Sequence, residues 1–459
     1  MSFLFVIPQR SGGICFYPST TPATPKNPSV NHPSSVCHFL VNTIPIPPIR
    51  RHIRWHALFS MHPGTIQSDV FIVGAGPAGL ACAIASARQG LDVQVVDAAR
   101  PPIDKACGEG LLPGSLESLA ALGFDLARDL DETESAPLHG VRFLGDSSAP
   151  DSYPIIQCPF PAGPGRGIRR TALHPLLFDR AASLGVRFHW ESSVRRIEIG
   201  KTTATIQTAS RPETRAGSRT FRTRYLIGAD GHQSRIAKWA GLTAGSVRSR
   251  RIGLRQHYAI APWSSFVEIY WSNHGQAYVT PISSCEICVA FVSREKIGSA
   301  EQALRHFPAL QRHLLLAKPS GPPRGSITLG RTLHRVVSGN IALIGDASGS
   351  VDAITGEGLA LGFRQAVALA SALKKDNLTA YQRDHRRIQR LPTLMSRSLL
   401  LMDRSPRVRD RALNLFERNP SLFARLLQIH IGHAPQRPFA VDPRYNPTTP
   451  EPLTSSIPG

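Results

Sequence analysis

Three carboxylates stand at the ends of apolar runs in this chain, and a glycine cluster precedes the first of them. Residues 69–79 read Asp-Val-Phe-Ile-Val-Gly-Ala-Gly-Pro-Ala-Gly, and Asp97 follows 18 residues after Gly79. The chemistry this spacing serves is the binding of a dinucleotide. Gly74 permits a tight exit from a strand, Gly76 leaves room for backbone N–H groups to approach a pyrophosphate, and Gly79 lets the next helix pack close to the sheet. Pro77 and Ala78 open that helix, whose positive end would carry the phosphates, while Asp97 would accept hydrogen bonds from ribose hydroxyls. Asp230-Gly231 and Gly345-Asp346 place two more carboxylates at strand ends. Residues 355–358, Thr-Gly-Glu-Gly, open a helix whose free N–H groups would stabilise negative charge on a ring system. Taken singly, each aspartate reads as well for a turn or a helix cap; three in this order read as a nucleotide site.

The elements that must position these residues follow from periodicity. Residues 69–130 read as strand, helix, strand and a further helical stretch, and 141–144 as a strand. A helix over about 170–184 leads into a strand at 186–190, and 225–230 is a further apolar strand. Alternating runs at 253–260, 267–271, 277–281 and 287–292 predict an antiparallel layer. A last strand at 340–344 feeds a glycine-rich turn and a helix over 358–373, so the chain returns late to its nucleotide-binding part. The fold class expected is α/β (α+β): a discontinuous Rossmann-like domain (68–140, 220–250 and 330–375), an antiparallel-sheet substrate region (141–219 and 251–329) and C-terminal helices (376–433). Residues 1–67 read as a disordered leader or a misassigned start, and 434–459 as a disordered tail. The first 60 residues hold nine prolines, five Lys or Arg and no acid, and Met61 stands just before the first strand. The apolar start at 3–7 is too short for a secretory signal; an acid-free leader suits an organellar transit peptide, although the proline density argues against a long amphipathic helix, and an over-extended gene start is preferred.

Seven cysteines in 459 residues form no dense framework, which points to a reducing compartment, the cytoplasm. Cys285 and Cys288 have C-x-x-C spacing but lie in a strand-like stretch without a second pair, so no metal site is expected. The net charge of +21 comes without a zinc-finger, basic-zipper or RNA-binding signature, which argues against nucleic acid and for acidic substrates, phosphorylated cofactors or an anionic membrane surface. No apolar run approaches the roughly 20 residues that cross a bilayer. Residues 383–425 carry eleven arginines against four acids, interleaved with leucines, a pattern that suits peripheral membrane contact or a lipid-like substrate; solvated helices over the sheet are the plainer alternative.

With these motifs in order, the chain resembles flavoproteins of the para-hydroxybenzoate hydroxylase superfamily, and within it the geranylgeranyl reductase-like branch, over roughly residues 68–430. The resemblance implies that Gly74, Gly76, Gly79 and Asp97 hold the ADP half of FAD. It implies further that Asp346 meets the ribityl or phosphate region and that the turn 356–358, with Gly356 and Gly358, faces the flavin's pyrimidine side. Asp230-Gly231 resembles the motif linked to FAD and NAD(P)H, and Arg170, Leu173 and Leu177 match the pattern R-x-x-L-x-x-x-L. Residues 105–111, Lys-Ala-Cys-Gly-Glu-Gly-Leu, resemble the branch's K-x-C-G-x-G-L segment, which implies that Cys107 lies near the flavin as the candidate catalytic thiol beside Lys105, with an inert turn residue as the equal alternative. The chain departs from prenyl reductases, which show Tyr-x-Trp-x-Phe-Pro where it has Tyr278-Val279-Thr280-Pro281, and from halogenases, whose Trp-x-Trp-x-Ile-Pro is missing. The implied activity is an FAD-dependent oxidoreductase with NAD(P)H as transient reductant, a monooxygenase of an apolar or aromatic small molecule. A polyprenyl ene-reductase and a non-catalytic flavin redox sensor are the alternatives. The substrate pocket is expected beneath the antiparallel sheet, near Tyr278, Pro281 and His257.

Overall fold

Val70, Phe71 and Ile72 are fully buried, as are Leu226, Ile227 and the run 341–344. Unbroken apolar runs of this kind belong to parallel strands covered on both faces. The computed structural model, which describes residues 65–130, 133–145, 155–210 and 218–431, places them there. Thr65–Val73 lies at the centre of a parallel sheet, with Val93–Val96 and then Arg187–His189 on one side. Ser218–Gly228 and then Ile341–Leu343 lie on the other side. The strand order therefore reverses between Thr65–Val73 and Ser218–Gly228. Ligands of open α/β sheets bind in the crevice beyond the carboxyl ends at such a reversal, here at Gly74 and Asp230. The expected strand at 225–230 is longer than read, because its first half pairs with the antiparallel strand Ala204–Ser210.

The helix Pro77–Arg88 starts with proline in its first turn, where the missing N–H costs nothing. It packs very close to the sheet: a Cβ on Gly79 would sit 1.9 Å from the Gly74 carbonyl oxygen, and one on Gly74 would sit 2.4 Å from the Ala229 oxygen. The helix Gly358–Lys374 crosses the same place, with Gly362 facing Ala78.

The second sheet is antiparallel except for one pair. Its central strands are Gly245–Ala259, Glu286–Ser293, Gly275–Ser283 and Phe266–Ser272, followed by Gly140–Leu144 running parallel to the last of these. Antiparallel sheets commonly keep one face in water, but all of Gly275–Ser283 is buried. One face is covered by Leu304, Phe307 and Leu310 from two short helices. The other faces the C-terminal helices Leu378–Arg404, Pro406–Arg418 and Pro420–His430, whose Met402, Leu413, Phe423 and Leu427 share a core with Val141, Phe143, Val267 and Trp271. Asn377 and Ser405 cap the first two of these helices through their side chains, and Pro406 and Pro420 open the second and third. Arg251, on the sheet, meets Gln276 at 2.6 Å, Asp403 at 3.4 Å and Asp352 at 3.5 Å, all buried. No helix among the described residues is long and apolar enough to cross a membrane. The expectations for the leader before residue 65 and for the tail lie outside the described residues.

His385, on Leu378–Arg404, hydrogen-bonds Ser348 Oγ through Nε2 at 2.9 Å and so ties the long helix to the turn Gly345–Ser348. Burial pushes its imidazole down from 6.5 to about 4.

Two measurements test this packing. Gly79→Ala should lower the urea midpoint by the equivalent of about 2 kcal/mol or more, since backbone rather than a flexible side chain stands in the way; an unchanged midpoint would mean that the helix can slide off the sheet. His385 is neutral when folded, so an unfolded chain takes up its proton first. The stability it contributes is present above pH 6.5 and is lost as pH falls through about 4. This amounts to roughly 3 kcal/mol. His385→Gln should flatten the acid limb of the stability–pH profile over that window, and a limb of unchanged slope would assign the acid sensitivity elsewhere.

Candidate functional site

A cavity of about 880 Å³ opens at the switch point of the parallel sheet and runs under the second sheet to the C-terminal helices. That volume lies within the range of small-molecule and cofactor sites, about 300–1,000 Å³. Every residue expected from the sequence at a nucleotide site lines it except Gly79, whose role is the close packing of helix on strand.

At the nucleotide end, Gly74, Gly76, Pro77 and Ala78 form one wall. Gly76 is the N-cap of Pro77–Arg88 and no side chain caps that helix, so its first N–H groups are free for an anion. Arg170 begins the helix Arg170–Ser183, and its guanidinium stands 3.9 Å from where a Gly76 Cβ would be. Asp97 accepts the Ala75 N–H at 2.7 Å and the Ala99 N–H at 2.8 Å. A carboxylate has about four acceptor sites, so both oxygens keep capacity for hydroxyls. Asp230 is engaged differently. It accepts Ser234 Oγ at 2.6 Å and the Arg235 N–H at 2.7 Å, holding the start of the helix Arg235–Trp239 while Gly231 turns past it at φ +78°. Asp346 pairs with Lys105 at 2.9 Å, bringing the 105–111 segment against the turn after the last parallel strand. His232 lines the cavity beside this pair, and burial together with Lys105 lowers its pKa. The sequence reading missed it, although it directly follows the Asp230-Gly231 motif.

Gly356, at φ +68°, and Gly358 bring the start of Gly358–Lys374 to the cavity, and no side chain caps this helix either. Glu357 between them is turned away and buried. Burial pushes its carboxyl up, against the pull of His430 and Arg364. His430, near the end of the last helix, reaches the Thr355 carbonyl at 3.0 Å and Glu357 at 3.4 Å, clamping this turn from behind.

Cys107 also lines the cavity. Burial pushes its thiol up, outweighing the Arg170 guanidinium, so the sulfur keeps its proton at neutral pH. The segment carrying it is held by Glu109, which adopts φ +59°, a left-handed backbone uncommon for glutamate. Buried Glu109 accepts the Arg170 N–H at 3.0 Å and Arg255 at 2.9 Å through Oε1, and contacts His257 Nε2 at 2.6 Å through Oε2. Arg255 in turn pairs with Asp104 at 3.0 Å. Burial would raise the Asp104 carboxyl, but Arg255 and Arg324 more than offset it, and its pKa falls. Glu109, His257 and Cys288 bring ligand-type atoms within 4.8 Å of one another. Arg255 already occupies the carboxylate they share, so the cluster reads as an ion-pair network that fixes Cys107. Nothing in the local pattern around Glu109 signals this; its partners come from residues 170, 255 and 257. His257 and Pro281, expected at the pocket, are not among its lining residues, whereas Tyr278 is, with its hydroxyl donating to the Ile354 carbonyl at 2.8 Å.

The far half of the cavity is hydrocarbon. Val141, Phe143, Val267, Trp271, Met402 and Phe423 line it and belong to one buried apolar cluster.

The FAD binding domain family matches residues 67–382. The chain is similar to a menaquinone reductase of Mycolicibacterium smegmatis, 28% identical over 336 residues that cover 69% of this chain and 78% of that protein. It is also similar to digeranylgeranylglycerophospholipid reductase 1 of Methanothermobacter thermautotrophicus, 25% identical over 327 residues, 68% and 80% of the two chains. Among solved structures, p-nitrophenol 4-monooxygenase from Pseudomonas putida DLL-E4 shares the fold with a TM-score of 0.67 at 17% identity, over 80% of this chain and 97% of that one. The cavity fits the cofactor this family carries. A Cβ at Gly358 would meet nothing and one at Gly76 only Arg170, and neither residue has a left-handed φ, so the protein's own packing does not require glycine there. Two uncapped helix starts with Arg170 and Lys105 match a pyrophosphate and a ring that gains negative charge on reduction. By this match over more than half its length, the chain belongs to the FAD-binding-domain family of flavoprotein oxidoreductases.

Proposed function

We propose that the protein is an NAD(P)H-using flavoenzyme that reduces an apolar, lipid-like small molecule. The hydrocarbon half of the cavity carries this reading: a sheet face and three helices build an apolar compartment against the nucleotide end, and a lipid-like chain would fill it. The similarity to a menaquinone reductase and to a digeranylgeranylglycerophospholipid reductase supports it. Peripheral contact with a membrane, from the cytoplasm, belongs to the same reading, because such substrates reside in bilayers.

Bound FAD would supply two-electron transfer between NAD(P)H and substrate. The protein's own groups divide the remaining work. The turn 74–79, Arg170 and Asp97 would hold the pyrophosphate and ribose, and the start of Gly358–Lys374 would stabilise negative charge on the ring. The apolar walls exclude water. Cys107, on the cavity wall, keeps a proton on Sγ that it would donate to the substrate as the flavin's hydride is transferred.

The edge-to-face pair Phe143 and Trp271, with centroids 5.9 Å apart, favours a second reading, hydroxylation of an aromatic ring seated against them. A flavin sensor would need no such compartment.

Reducing the protein anaerobically with NADPH, then adding a quinone or polyprenyl substrate without or with oxygen, separates these readings by product mass. A gain of two hydrogens without oxygen is the expected result; a gain of one oxygen atom, only when oxygen is admitted, would replace reduction by hydroxylation. Cys107→Ala should slow product formation by about a hundredfold while NADPH still bleaches the flavin at the wild-type rate. Wild-type turnover in this variant would remove the thiol from the mechanism.

A further inference from the structure

The helix Leu378–Arg404 presents to solvent a face that its packing does not explain. Leu394 and Leu401 are each 55% exposed and stand seven residues apart, on one stripe of the helix. Ser398 lies between them on the same stripe, is exposed, and also lines the cavity, as do its neighbours Met395 and Leu399. The exposed leucines are thus continuous with the wall of the apolar compartment. Arg390, Arg397 and Arg404 are exposed at the same seven-residue spacing on the adjoining stripe, and among the described residues none is ion-paired with a carboxylate. The last helix repeats the combination: Leu422 and Ile429 are 37% and 42% exposed with exposed Arg425 between them, while Phe423 and Leu427 face the cavity. Of the four acids in residues 383–425, Asp403 is buried inside the Arg251 network, which leaves this surface more basic still.

We propose that this face docks on an anionic lipid bilayer, and that the stripe Leu394, Ser398, Leu401 is where the substrate passes from the bilayer into the cavity. The inference rests on the lipid-like substrate proposed above. Exposed leucines would enter the acyl boundary while the arginines bind headgroup phosphates and carboxylates, the arrangement of helices that lie in a membrane surface. Charge complementarity selects the partner: a second copy of so basic a chain would be repelled, whereas an anionic leaflet attracts it. The geometry also assigns a purpose to the location. An apolar molecule leaving the bilayer beside Ser398 would enter hydrocarbon surroundings without crossing water.

The test is co-sedimentation of the FAD-loaded chain with vesicles of phosphatidylcholine alone and of equal parts phosphatidylcholine and phosphatidylglycerol. Binding is expected to the second kind only, weakening as salt is raised. The variant R390Q/R397Q/R404Q should bind about a hundredfold more weakly. L394E/L401E should lose at least about tenfold. Both should keep NADPH-driven flavin bleaching, which shows that they are folded. No binding by the wild-type chain, or equal binding by all three proteins, overturns the proposal. So does a wild-type dimer that L394E/L401E dissociates while vesicle binding is absent, since the face would then belong to a second copy. Vesicle binding without turnover of any embedded lipid supports the docking and counts against the substrate reading. Turnover of detergent-dispersed substrate without vesicle binding does the reverse.

Discussion

Three backbones meet at Gly74, Gly79 and Ala229 with no side chain between them, and the site is arranged around that contact. Any Cβ at Gly74 or Gly79 would enter a carbonyl oxygen, so the first helix lies as close to the sheet as its backbone allows. This closeness aims the helix's free N–H groups at the carboxyl edge of the parallel strands, where the strand order reverses and a crevice opens. The same compactness lets Gly362 cross over Ala78, which brings the second uncapped helix start to the opposite side of one cavity. Looser packing at Gly79 would swing both helix ends off a common target.

The cavity joins two environments that ordinarily exclude each other. One end presents cations and uncapped helix starts; the other presents Phe143, Trp271, Met402 and Phe423. Buried charge networks stand behind each. Glu109 with Arg255, Asp104 and His257 fixes the segment between the two ends, and Arg251 with Asp352 and Asp403 joins the sheet to the long helix. Buried ion pairs add little net stability, but removing one partner from either network would strand a charge, so each network specifies one arrangement of its elements.

Much of this was legible in the sequence where the signal is local. The glycine turn, Asp97, the Gly345-Asp346 and 356–358 turns and the antiparallel layer all follow from spacing and periodicity, because a turn or strand is written in consecutive residues. What escaped depends on distant partners. Glu109 is an unremarkable residue of a glycine-rich segment until Arg170, Arg255 and His257 converge on it. His257 itself was expected at the pocket and stands behind the wall, since alternation along a strand fixes which face a residue takes but not what lies between it and the cavity. Asp230 lines the cavity where its place at a strand end put it, but that it also holds a helix start through both oxygens depends on Ser234 and Arg235 turning back to it. That Gly275–Ser283 is buried on both faces lies outside the strand's own alternation, because the helices that cover its second face come from elsewhere in the chain.

The wall of the cavity runs in sequence from Val73 to His430, and His430 grips the turn at Thr355 that one side of the cofactor would meet. The site is therefore assembled from both extremes of the described chain and is closed by its last helix. A ribosome delivering this protein must release residue 430 before that clamp can form. The glycine turn is made early and waits. Full enclosure of the cavity therefore waits on residues near 430, whereas the nucleotide end needs only the early turn and its neighbours.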